Sequence, residues 1–196
     1  EILQLTQVQF MRKIFMFCLA GALALATASC KEDKKVVTVQ TITVNGQMYE
    51  VKSAFYMEED LAEEGGEAGT SLILLPTVLQ TLPEDEPGFY VGIEISESLW
   101  DKTVDLTKPI VKSGTLEPYL DIIAAADGTT VEIDNSEESI DISVKEADTS
   151  LTVTSGTLKV TKDGGDFSVK FFVNLSDGRN IAADWKGTAT KVEIPG

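Results

Sequence analysis

The sequence predicts an all-β domain, and three observations carry that prediction. Asn45-Gly46 and Asp127-Gly128 each stand between runs rich in β-branched residues. This is the strongest short signal for a hairpin, because both turn residues must tolerate positive φ. Phe167, Val169, Phe171, Val173 and Leu175 recur with a period of two, as the buried face of a strand does. Nowhere does a long amphipathic helical pattern alternate with the strands, which argues against a parallel α/β architecture.

The elements follow in order. Val36–Val44 is a first strand, and Gln47–Met57 continues it after the Asn-Gly turn. Glu58–Gly69 is acidic and glycine-rich, so it reads as a loop, with a short helix over Glu58–Glu64. Ser71–Leu79 is apolar on both faces, as in a buried strand, and Pro76 requires a bulge or an edge there. Leu82–Gly88 is a turn-rich loop. Phe89, Val91, Ile93 and Ile95 then alternate with Tyr90, Gly92, Glu94 and Ser96 in a half-buried strand. Val104 and Leu106 mark a short strand, and Lys108–Pro118 a loop. Tyr119–Ala126 and Thr129–Asp134 flank Asp127-Gly128. Ile140, Ile142 and Val144 alternate, as do Leu151 and Val153 before Ser155-Gly156 and Leu158 and Val160 after it. Asp163–Asp166 and Asp177-Gly178 are turns on either side of Phe167–Leu175. Ile181, Ala183 and Trp185 share a face, and Thr188–Ile194 closes the domain. About ten strands at roughly 8–12-residue spacing fit one β-sandwich or one closed β-barrel, with the last five strands an antiparallel meander. Sandwich and calycin-like barrel predict the same alternation, so both stay open.

The segment Met11–Asp33 carries an address. Arg12 and Lys13 precede the uncharged run Ile14–Ala26, which is shorter than the about 20 apolar residues a membrane-crossing helix needs. Thr27, Ala28 and Ser29 then lead to Cys30. Charge, apolar run and small residues in that order are a secretory signal. The cysteine directly after them resembles the bacterial lipoprotein signal, although Thr27 stands where that pattern has leucine. Cys30-Lys31-Glu32-Asp33 resembles the export signal of Bacteroidota surface lipoproteins. The run Gly156–Gly187, with its Gly-rich turn, aromatic-led strand, Asp-Gly and aromatic-x-Gly, is similar to the ends of small Bacteroidota lipoproteins of unassigned function. The resemblance implies an acylated Cys30, with Lys31, Glu32 and Asp33 directing display on the outer face of the outer membrane. The expected organisation is an upstream stretch over 1–10, a signal over 11–29, a lipidated tether over 30–35 and a β-domain over 36–196.

Composition excludes several functions. The chain has no histidine, and its two cysteines are Cys18, inside the signal, and Cys30. Histidine-dependent triads, thiol nucleophiles and ordinary zinc sites therefore lack their residues. A formal net charge of -16 opposes binding to nucleic acid and favours cationic partners. No cofactor is expected. Glu58, Glu59, Asp60, Glu63, Glu64 and Glu67 offer a calcium set, weighed against a solvated, self-repelling loop. Tyr90, opposite the apolar face of its strand, and Trp100, in a loop-like segment, are the candidate exposed aromatics for a ligand. Glu132, Asp134 and Asp141 are expected to face solvent, and Trp185 to lie in the core. The expected role is a non-catalytic, surface-anchored domain that binds or scaffolds an envelope protein, a glycan or a cationic partner. The alternatives are a barrel holding a small apolar ligand and a hydrolase built on two carboxylates.

Overall fold

The computed structural model describes residues 40–61, 65–82, 87–112, 114–144 and 151–193. They form two sheets. The strands are β1 (Thr41–Val44), β2 (Gln47–Glu50), β3 (Ser53–Glu59), β4 (Gly69–Leu75), β5 (Tyr90–Ser96), β6 (Val104–Asp105), β7 (Leu120–Ala126), β8 (Thr129–Asn135), β9 (Ile140–Val144), β10 (Val153–Asp163), β11 (Asp166–Leu175), β12 (Asn180–Thr188) and β13 (Thr190–Lys191). A six-stranded sheet runs β2-β1-β12-β11-β10-β6, and a seven-stranded sheet runs β13-β3-β4-β5-β7-β8-β9. All neighbours are antiparallel except β13 and β3. Among the described residues both sheets have free edges, so the fold is an open sandwich and not a closed barrel.

Alternation decides what lies between the sheets. From the six-stranded sheet come Ile42, Val44, Leu158, Val169, Phe171 and Trp185; from the seven-stranded sheet come Leu72, Val91, Ile93, Ile122, Val131 and Ile133. Leu72, Ile93, Ile122 and Ile133 stand directly opposite one another on four successive strands. Ala183 faces Phe171 across β11 and β12, so a small side chain makes room for a large one. Each such large apolar side chain contributes roughly 1.5–3 kcal/mol on burial. Phe167, Val169, Phe171, Val173, Leu175, Ile181 and Trp185 are all buried, as their shared period requires.

The turns obey the local chemistry. Asn45 and Gly46 take φ of 52° and 81°, and Asp127 and Gly128 take 51° and 80°, the paired positive values of a two-residue hairpin. Pro76 follows the end of β4, where no further ladder donor is needed.

Three expectations are corrected. Gln47–Met57 is two strands. Val51 N–H still donates to Gln40 O in the first hairpin, and Lys52 N–H already donates to Leu75 O, so the chain changes sheets between them. Glu58 and Glu59 end β3 and are not helical. The last five predicted strands do not form one meander, because β8 and β9 belong to the seven-stranded sheet and β10 to β12 to the other. Ser155-Gly156 lies within β10, at a register shift against β11. A Cβ on Gly156 would come within 2.9 Å of Phe172 O and 3.2 Å of Leu106 Cβ, so the glycine serves close approach.

Phe171→Ala should lower stability by about 3–5 kcal/mol in denaturant unfolding. A loss under about 1 kcal/mol would contradict this packing.

Candidate functional site

A sandwich leaves two outer faces, and here they differ in chemistry. The outer face of the six-stranded sheet holds a groove of about 430 Å³. Its floor follows from register. Thr43, Ala182, Phe172 and Thr157 are directly opposed on β1, β12, β11 and β10. Phe172 is 44% exposed, between the small Ala182 and Thr157. Thr41, Lys159, Lys170 and Asp184 complete one wall, with Lys170 Nζ 3.5 Å from Asp184 Oδ2. Among the described residues Asp184 is the one carboxylate lining the groove. An exposed ring flanked by hydroxyls offers a stacking surface and hydrogen-bond partners together.

The outer face of the seven-stranded sheet divides in two. On one half Phe55, Ile73, Leu75, Tyr90 and Ala125 form a second small core, covered by Leu79, Leu82 and Val192. On the other half Ser71, Glu94, Asp121, Asp134 and Asp141 are directly opposed on β4, β5, β7, β8 and β9. Ser71 Oγ donates to Glu94 Oε1 at 3.4 Å. One step along, the Tyr119 hydroxyl donates to Glu59 Oε2 at 3.1 Å. The phenol reaches Glu59 across Gly69, where a Cβ would sit 2.1 Å from its oxygen. Glu59 and Asp121 are 7% and 8% exposed, and Glu59 Oε1 and Asp121 Oδ1 have no hydrogen-bond partner. Burial raises the pKa of Glu59. Burial, then the charges of Glu59 and Glu132, push Glu94 up to about 8. Burial, then Asp134 and Glu94, raise Asp121 well above its ordinary value. Burial, then Asp141, raise Asp134.

The structure separates the residues the sequence nominated. Cys30, Lys31, Glu32, Asp33, Glu63 and Glu64 lie outside the described residues. Glu58 and Glu59 are strand neighbours and point to opposite faces. Glu58 bonds Lys191 at 2.7 Å and Lys162 at 3.0 Å, and these bonds, Lys191 first, lower its pKa. Among the described residues no three acids gather around a metal position, so Glu58, Glu59, Asp60 and Glu67 do not converge. Tyr90 is buried, not exposed, because Leu79, Leu82 and Val192 pack over its half of the sheet. Trp100 is half-buried and already occupied. Lys162 Nζ lies 4.8 Å from its ring centre, 5.5 Å from that of Tyr56 and 6.0 Å from that of Phe167. Glu132 and Asp134 are half-buried, whereas Asp141 is exposed.

Sequence reasoning missed Phe172 and the carboxyl row. Phe172 was legible as the one aromatic on the polar face of Phe167–Leu175. The Asp121–Asp134 pair was legible too, because a two-residue turn at Asp127-Gly128 fixes that register.

No family model, curated protein or solved structure matches this chain.

Lys162 is a structural cation with a side chain only 9% exposed, held by three rings and Glu58. Lys162→Ala should cost about 2 kcal/mol by unfolding and shift the tryptophan emission. A cost below about 0.5 kcal/mol would show that the cage holds nothing together.

Proposed function

We propose that this chain is a lipid-anchored domain of the outer cell surface that binds a glycan, without catalysis, on the outer face of its six-stranded sheet. The observation that carries the binding reading is the groove floored by exposed Phe172 between Thr43, Ala182 and Thr157. A sugar ring stacks its C–H face on an aromatic and takes hydrogen bonds from hydroxyls, and this lining supplies both. The anchoring reading rests on residues 11–33: the charged start, the apolar run, the small residues and Cys30 followed by Lys31, Glu32 and Asp33. Two acyl chains anchor stably where one binds only marginally.

The competing readings have less support. A calycin-like ligand would occupy the interior, and side chains of both sheets fill that space. A two-carboxylate hydrolase needs both acids in one cleft. The groove has Asp184 alone, paired with Lys170, and the carboxyl row lies on the opposite outer face. Lacking histidine and a free thiol, the domain is also without the usual acyl-transfer nucleophile systems.

Two outcomes test this. Cys30→Ser should move the protein from membranes to the soluble fraction; retention in the membrane would contradict lipid anchoring. Phe172→Ala should weaken glycan binding about tenfold or more on a glycan panel. It should change stability by less than about 0.5 kcal/mol, since the ring is exposed. Binding by the wild type that is unaffected by the substitution would move the site elsewhere, and binding only to a protein partner would replace the glycan reading.

A further inference from the structure

The carboxyl row on the seven-stranded face has no part in the groove, yet it concentrates the most unusual chemistry of the molecule. Directly opposed residues on neighbouring antiparallel strands hold their Cβ atoms about 4.5–5.5 Å apart, and like charges there destabilise the sheet. Glu94, Asp121 and Asp134 occupy three such positions in succession. The strongest charges acting on Asp121 are those of Asp134, Glu94, Glu132 and Glu59, all carboxylates.

Two geometric facts point to how the repulsion is relieved. Asp121 is buried and Asp134 half-buried at directly opposed positions, where one carboxyl can donate to the other only if it carries a proton. Glu59 Oε1 and Asp121 Oδ1 are also more than nine-tenths buried without a partner. A neutral carboxyl tolerates that far better than an ionised one.

We propose that Glu94, Asp121 and Asp134 form a proton-sharing row, closed at one end by the Glu59–Tyr119 hydrogen bond, which keeps protons at neutral pH and loosens the seven-stranded sheet when it loses them. The groups facing it are Glu59 from β3, Tyr119 before β7, Glu132 from β8 and Asp141 from β9, with Ser71 of β4 as an uncharged donor. The row titrates as a unit. A carboxyl with a raised pKa holds more protons folded than unfolded, so stability falls as pH rises through the interval between its unfolded and folded values. For Glu94 that interval runs from 4.5 to about 8. The domain is therefore firmest in mild acid and weakens toward mild alkali.

The test is thermal unfolding of the full chain at pH 5.5 and 8.5, in about 0.5 M NaCl so that exposed charges are screened within a few ångströms. The wild type should melt about 4 °C or more higher at pH 5.5. Asp121→Asn should lose most of that difference, and Asp184→Asn, an exposed acid of the other sheet, should keep it. On the wild type, carboxyl carbon NMR should show at least one row carboxyl titrating above pH 6, which decides the matter if Asp121→Asn does not fold. Titration of every row carboxyl below pH 5, no pH difference in the wild type, or an unchanged difference in Asp121→Asn would overturn the proposal. So would millimolar CaCl₂ raising the melting temperature at pH 8.5 in the wild type but not in Asp121→Asn, since the row would then hold a cation and not protons.

Discussion

Closure of a single interior between two sheets is the constraint on which the rest of the structure depends. With no disulfide possible between Cys18 and the proposed lipid site, and no metal centre among the described residues, side-chain packing must supply the stability. The chain crosses repeatedly between the sheets, most abruptly at Val51-Lys52 and at Ala189, where Ala189 N–H donates to Gly165 O. Sequence neighbours thereby end in different layers. Loops that leave the sheets are pinned back: Asn135, itself buried, accepts from Ile110 N–H and donates to Lys108 O.

Once the inner faces are committed to packing, function falls to the outer ones, and the same period of two fills them. On the six-stranded sheet the outward residues are mostly threonine, lysine and aspartate, with Met48, Ala182 and Phe172 the apolar exceptions. On the seven-stranded sheet the outward residues split into a capped apolar half and an acidic half. That split explains how one face can bury Tyr90 and also bury carboxyls. It also explains why the formal charge of -16 overstates the ionised state of the fold, since part of the acid is held where ionisation is opposed.

Local signals made the strands from β10 to β12 legible in the sequence, together with both hairpin turns and the core placement of Trp185. Alternation assigns side chains to a face, and Asn-Gly and Asp-Gly fix the turns. Neither signal says whether a face is covered, which is why Tyr90 read as exposed. Neither reveals a change of sheet within a continuous apolar run, which is why Gln47–Met57 read as one strand. The pairing of β1 with β12, far apart in the chain, leaves no local trace. For the candidate site, acids are conspicuous along 58–67, while the relevant grouping runs across β5, β7 and β8.

The most direct test of the central claim is the energetic coupling between the two sheets. Tyr56 of β3 and Phe167 of β11 meet across the interior with ring centres 5.1 Å apart. A double-mutant cycle of Tyr56→Leu and Phe167→Leu should give a coupling of about 0.5–1.5 kcal/mol. Additive single effects, with no coupling, would contradict the account that the sheets are locked face to face.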